Sequence, residues 1–382
     1  MKNIFKTVIA LFLISGVISC SDQDKDPVAQ ANGFTLNTPE QGTQFVLTPT
    51  DAANELLTLT WGESNNGVAS VSDYTIEIAK SGTNFANPVN AVLDADVITN
   101  RTYSWTVGYL NELINQVGFT PCQSVDIDVR VKSTLGLVPA KAFVQYSNVV
   151  TLNVTPYLTD LPLMAFSSSN VITASTGKMA ASGILNTDYE GYMYLEPGTY
   201  KFYKASSCNL FDSATVYGDD NSGAFSNLVL NGDGYVVATA GLYLVRANLP
   251  ASGDLTYSVR PVAWNVFGTG KSVLQLANVP MTYDPADGLL KLTITLKNGY
   301  GFKFRATGNQ ILLGKYQAAS PGTSDFGGPL LSYVANTTTL ASLPTNELAV
   351  PGLRNPPSTT SYDIVLDLRK PRDYTYSITA TP

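Results

Sequence analysis

The chain has no histidine and only three cysteines among its 382 residues. The first absence excludes Ser-His-Asp and Cys-His catalysis and every metal site built on imidazole. The second excludes a cysteine-rich zinc site. Charge is sparse too. Asp, Glu, Lys and Arg make up 14% of the sequence, the formal net charge is −7, and no basic run occurs. Phosphate neutralisation needs clustered Lys and Arg, so nucleic acid is excluded as a partner. Strong helical periodicity is scarce, whereas Thr, Val, Tyr, Gly and Asn are abundant, which favours β-sheet. Apolar residues reach 44%, which rules out a disordered acidic chain. Carboxylate-pair chemistry is what remains for an enzyme, and composition leaves it open. No cofactor or metal is expected. Asp219-Asp220-Asn221 lacks the ligand spacing and terminal Glu of a known calcium loop.

The N-terminus carries an address. Lys2 and Lys6 precede an apolar run over residues 8–18, too short to span a bilayer and ending Val17-Ile18-Ser19-Cys20. This resembles a bacterial lipobox, in which the cysteine is acylated and becomes the first residue of the mature protein. Ile18 departs from the small residue usual at that position. Residues 1–19 therefore read as a lipoprotein signal peptide and 20–32 as a flexible tether, anchored at Cys20 without a spanning helix. The acidic stretch Ser21-Asp22-Gln23-Asp24-Lys25-Asp26 resembles the signal by which Bacteroidetes-type bacteria export lipoproteins to the outer face. Cys122 and Cys208 fall in different domains and read as buried thiols.

A chain this long exceeds what one core usually serves. Residues 33–156 alternate in short strands separated by polar turns. Leu57–Trp61, Tyr74–Ile78 and, over nine residues, Ser124–Lys132 are the clearest. About seven such strands predict a β-sandwich of immunoglobulin or fibronectin type III kind, with Trp61 in its core. Leu110, Leu113, Ile114 and Val117 sit at helical spacing and predict one short helix over residues 109–117. Beyond residue 156 the sequence repeats itself. GYGFKFRATGN at 299–309 recurs, degraded, as GTYKFYKASSCN at 198–209. Tyr243–Leu249 and Tyr257–Val259 match Tyr362–Leu368 and Tyr376–Ile378 in the same order and at one common offset. Two duplicated modules follow, over 157–262 and 263–382. The second carries an insertion within 317–357, rich in Gly, Pro, Ser and Thr, placed at its rim.

LTLTWGES, SDYTIEIAKSGTNFANPV, YLNELINQVGF and VDIDVRVKS, all in the first domain, resemble the N-terminal domain of the starch-utilisation lipoproteins of SusE and SusF type. Trp264–Gly268, Val279–Pro285 and residues 299–309 and 362–378 are similar to the carbohydrate-binding modules of the same family. The match is weaker in the first module, where Trp264 has no tryptophan counterpart. The resemblance implies an all-β chain: a fibronectin/immunoglobulin-like sandwich followed by two tandem sandwich modules that bind malto-oligosaccharides on a shallow surface.

Sugar binding needs aromatic faces for the pyranose C–H surface and polar side chains for its hydroxyls. If Phe302 and Phe304 face the core, Lys303 and Arg305 face outward, as Lys201 and Tyr203 do in the first module. An outward cation on a strand more often serves only solubility. The family usually carries an aromatic, often Trp, with Asn and Gly just after this strand. Here Tyr316, Phe211 and Tyr217 stand nearby as substitutes. The candidate ligand contacts are therefore Trp264, Lys303, Arg305 and Tyr316 in one module, and Lys201, Tyr203, Phe211 and Tyr217 in the other. A tryptophan opening a strand is also a natural core residue. The polar, Gly-rich loop 218–223 is placed beside such a site.

The functional expectation is a non-catalytic glycan-binding lipoprotein on the cell surface. It would assist a glycan uptake system, with a TonB-dependent transporter and its associated glycan-binding lipoprotein as partners. The rivals are a structural or adhesive surface protein and, from another class, a two-carboxylate glycosidase. Cys20→Ala should abolish incorporation of a labelled fatty acid; equal label in both proteins would contradict the anchor.

Overall fold

The computed structural model describes residues 33–65, 72–92, 98, 100–135, 142–212, 214–268, 278–298, 301–307, 312–313, 331–333, 348–349 and 359–381. The signal, Cys20 and the tether lie outside them, as does all of the 317–357 insertion except 331–333 and 348–349. The chain is all-β, with one α-helix among the described residues. That helix is too short to cross a membrane. Two compact units divide it, residues 1–157 and 158–382.

The first unit is a sandwich of two sheets. Leu36–Thr38, Glu55–Trp61 and Thr102–Thr106 form one; Gln44–Val46, Val150–Thr155, Val125–Leu135, Ser72–Lys80 and Val89–Asn90 form the other, with Ala142–Tyr146 also paired to Val125–Leu135. The alternation read from the sequence is the alternation of burial. Ile127, Val129 and Val131 are buried in the same core as Trp61, Ile76 and Trp105. Trp105 Nε1 donates to Ala91 O at 3.0 Å. The predicted helix runs Val107–Val117 and buries Leu110, Leu113 and Ile114. Thr106 caps it by accepting from Tyr109 N, and Gly118 ends it in the left-handed region at φ 86°. One expectation is corrected: Cys122 and Cys208 are each disulfide-bonded, and neither is buried.

The second unit holds the two repeats. In the first, nine strands between Leu163 and Pro261 form one sheet. It curls until its edges meet: Leu228 N donates to Leu255 O and Tyr257 N to Ser226 O, both at 2.8 Å. Inside lie Met164, Phe166, Met179, Phe202, Val245 and Tyr257. In the second repeat one sheet contains Ala263–Gly268 and Gly301–Thr307, and the other contains Leu289–Lys297, Thr359–Asp367 and Tyr374–Ala380. Trp264, Phe302, Phe304, Ile364 and Tyr376 pack between them.

The strand registers correspond between the two halves of this unit. Phe202 pairs with Phe166 as Phe304 pairs with Val266. Ala247 pairs with Tyr257 as Leu366 pairs with Tyr376. Met164 is therefore the counterpart of Trp264.

The repeats do not stand apart as beads. Along Asp188–Leu195, Tyr189 and Met193 point into the first repeat's core, and Tyr192, one step out of phase, joins the second's. Along Gly241–Asn248, Tyr243 and Val245 point inward while Leu242 and Leu244 join the second core. These strands are buried on both faces, the arrangement that calls for continuous apolar runs and not alternation. Arg372 pins the joint, donating to Ala180 O at 3.3 Å and to Asp188 O at 3.2 Å and Oδ2 at 3.1 Å.

Gly191 sits in this doubly covered strand, where an added Cβ would come within 2.2 Å of Lys178 O and 3.0 Å of Met179 Cα. Both obstacles are backbone. Gly191→Ala should destabilise the second unit by about 1–3 kcal/mol, the range for overpacking. A thermal melt equal to wild type would show that the strands separate without strain.

Candidate ligand cleft

The joint leaves a cavity of about 1100 Å³ at its rim, between the outer face of the first repeat and the second. The first repeat supplies Lys178, Tyr192, Tyr194 and Leu242 to its lining. The second supplies Tyr283, Asp287, Leu290, Asp367 and Arg369. Tyr194 follows Tyr192 on the same face of its strand. Tyr283 lies on Thr282–Asp284, which pairs with Leu289–Lys291 across a tight turn. The turn is dictated by Asp284-Pro285-Ala286-Asp287-Gly288. Ala286 N donates to Asp284 Oδ1 at 3.0 Å, Leu289 N donates to Asp287 Oδ1 at 3.1 Å, and Gly288 takes φ 73°.

Tyr194 and Tyr283 stack in parallel, ring centroids 5.0 Å apart and planes inclined by 2°. Tyr194 is 37% exposed, so part of its ring is open to a ligand. Burial raises the pKa of Tyr283, reinforced by Tyr194 and Asp287. The cations of the cleft are already engaged. Lys178 Nζ donates to the carbonyls of Thr173, Ala174 and Thr176 at 2.9, 3.0 and 3.2 Å, and burial lowers its pKa. Arg369 grips Asp367 through two bonds, Nε to Oδ1 at 2.9 Å and Nη2 to Oδ2 at 2.6 Å, and reaches Asp287 O at 3.1 Å. Lys291 pairs with both Asp284 and Asp287. The result is a recess with aromatic and aliphatic walls and a rim of fixed polar groups, suited to a ligand with apolar C–H faces and many hydroxyls.

The residues expected from the sequence lie elsewhere. Trp264 is wholly buried at 0% exposure, edge-on to Tyr192 with centroids 5.4 Å apart. It has no face to offer a sugar, and the expectation for it is corrected by its place in the core. Tyr203 is corrected likewise. It is buried between Ala165 and Val216 of the neighbouring strands, and burial raises its pKa. Lys201, Phe211 and Tyr217 are half-buried, and Tyr217 packs against the first repeat's core. None of these five lines the cleft. Phe302 and Phe304 face the core as expected. Lys303 and Arg305 occupy their strand opposite Phe267 and Asn265, but their side chains, like the whole of Tyr316, lie outside the described residues. The Asp219 loop is spent internally: Asp219 Oδ2 accepts from Tyr257 OH at 2.5 Å, and Asp220 Oδ2 accepts from Asn227 Nδ2 at 3.2 Å. No cluster of three metal-ligating side chains occurs among the described residues.

Sequence reasoning missed Tyr194 and Tyr283. The available signals were the doubly apolar GYMYL and GLYLV stretches and the DPADG turn.

The Asp367–Arg369 pair gives the cleft a pH signature. Burial works to raise the Asp367 pKa, but hydrogen bonds from the Arg369 side chain and backbone, with its charge, outweigh burial and lower it below the ordinary 3.8. A depressed carboxylate stabilises the fold above its unfolded pKa and loses that contribution as pH falls through the folded value. Arg369 is 58% exposed, so solvent screens much of the effect. Arg369→Ala should melt slightly below wild type at pH 7, by less than about 1 kcal/mol. The gap should close as pH drops below the ordinary Asp range; a gap constant down to low pH would contradict the assignment.

The sequence profile of the family described as SusE outer membrane protein matches residues 21–132. Among curated proteins none matches. Among solved structures, the chain is similar to SusF from Bacteroides thetaiotaomicron at 12% identity, over 91% of this chain and 77% of that one, with a TM-score of 0.26. The motifs of the first domain and the profile thus converge: residues 21–132 are similar to the SusE outer membrane protein family.

Proposed function

We propose that the protein is a non-catalytic, lipid-anchored glycan-binding protein of the cell surface, and that the cleft of its second unit holds the glycan. The ligand class is starch, malto-oligosaccharide or a related polysaccharide. The role is to hold it for an uptake system of a TonB-dependent transporter and its associated glycan-binding lipoprotein. The observation that carries this reading is the parallel Tyr194–Tyr283 stack, with Tyr194 exposed, beside fixed polar groups. The outer-membrane family of the first domain supports the location. Lys201, Phe211, Tyr217, Lys303, Arg305 and Tyr316 are proposed as further ligand contacts outside the cleft. Trp264 and Tyr203 leave the proposal.

The test is retention of residues 21–382 on polysaccharide-loaded affinity gels. Tyr194→Ala is the cleaner variant because the ring is the more exposed of the pair; Tyr283→Ala complements it. A stacked ring contributes about 0.5–1.5 kcal/mol beyond its buried area, so each loss should weaken binding about two- to ten-fold while the melt stays near wild type. Undiminished retention of both variants would remove the cleft from the account. Incubated oligosaccharides should keep their lengths; shortening would contradict a non-catalytic role.

A further inference from the structure

Beneath the cleft, the joint between the repeats contains polar atoms with no protein partner. Glu190 is 3% exposed, and its Oε2 accepts from Arg246 Nε at 2.8 Å. Its Oε1 has no partner, and neither have the hydroxyls of Tyr192 and Tyr374 or Nε1 of Trp264. All four residues are buried. Tyr192 lies edge-on to Tyr374 at 5.2 Å and to Trp264 at 5.4 Å. Burial raises the pKa of both phenols, and the Glu190 charge adds to it. Glu190 and Tyr192 come from the first repeat, Tyr374 and Trp264 from the second.

Buried polar groups in folded proteins are almost always paired, with protein or with ordered water. We propose that the joint encloses ordered water bridging Glu190 Oε1 to the hydroxyls of Tyr192 and Tyr374. The chemistry of the partners selects the occupant. A carboxylate oxygen only accepts, an indole N–H only donates, and a phenol does either; water, with two donors and two acceptor sites, matches that set. Three or so polar partners is the usual number for a buried water. A metal cation is disfavoured because the local charges are already balanced, Glu190 by Arg246 and Asp188 by Arg372. An anion would face the Glu190 carboxylate. Because the bridging groups come from both repeats, the water fixes one wall of the cleft against the other. The inference stands whether or not the cleft binds a glycan.

Tyr192→Phe and Tyr374→Phe, alone and together in residues 21–382, test it by thermal melting. Each keeps the ring and removes only the hydroxyl. If the hydroxyls hold water, each variant should melt about 2–4 °C lower. The double variant should lose less than the two together, since both act on one bridge. If the joint is dry, deleting an unpaired buried hydroxyl leaves stability unchanged or raises it, and that result would overturn the proposal. Strictly additive losses would overturn the shared bridge. A wild-type crystal structure gives the second readout. Density within about 3.2 Å of Glu190 Oε1 and of at least one phenol oxygen is expected; an empty joint contradicts it.

Discussion

Two neighbouring strands, Asp188–Leu195 and Gly241–Asn248, are buried on both faces, and the second unit is organised by that constraint. A strand in a simple sandwich has one wet face. Here the outward face carries Tyr192, Leu242 and Leu244, which complete the core around Trp264 and Tyr374. Fully burying such side chains contributes about 1.5–3 kcal/mol each, and the first repeat alone would leave them exposed. The repeats are therefore joined by shared core. Arg372 adds direction, since its guanidinium reaches both a carbonyl and a carboxylate of the other repeat.

The cleft is a consequence of the same joint. Where the shared core ends, the two repeats diverge and leave the recess whose walls bear Tyr194 and Tyr283. Tyr194 lies two residues beyond Tyr192, so the strand that seals the joint also presents the stacking ring. Tyr283 follows Met281, another member of the shared core. The rim is held by short-range devices, namely the Asx-type bonds of Asp284 and Asp287 and the Arg369–Asp367 pair. Such a site is preorganised by packing and asks little ordering of its own side chains when a ligand enters.

Local patterns were legible in the sequence, and what depended on contact between distant segments was not. The helix at Val107–Val117 showed in its Leu110, Leu113, Ile114 spacing, and the strand Val125–Leu135 in its strict alternation. The tyrosines matched in the sequence, Tyr257 and Tyr376, sit at equal registers in the structure. The expected ligand contacts fared differently because outward-facing was equated with solvent-facing. Tyr203 does alternate with Phe202, yet it is buried. Trp264 opens a strand, a position equally natural for a core residue, and the structure buries it opposite Ala306. For Tyr192 and Leu244 the sign was present, in runs too continuously apolar for a one-sided strand, but only a second layer explains it.

The most direct test of the cleft as the ligand site is a crystal structure of residues 21–382 with a malto-oligosaccharide or the polysaccharide fragment that the protein retains. Sugar density against the open part of the Tyr194 ring, with hydroxyls reaching the Asp287 and Arg369 rim, is the result this account predicts. Density confined to the outer faces of the modules, with the cleft holding only solvent, would contradict it.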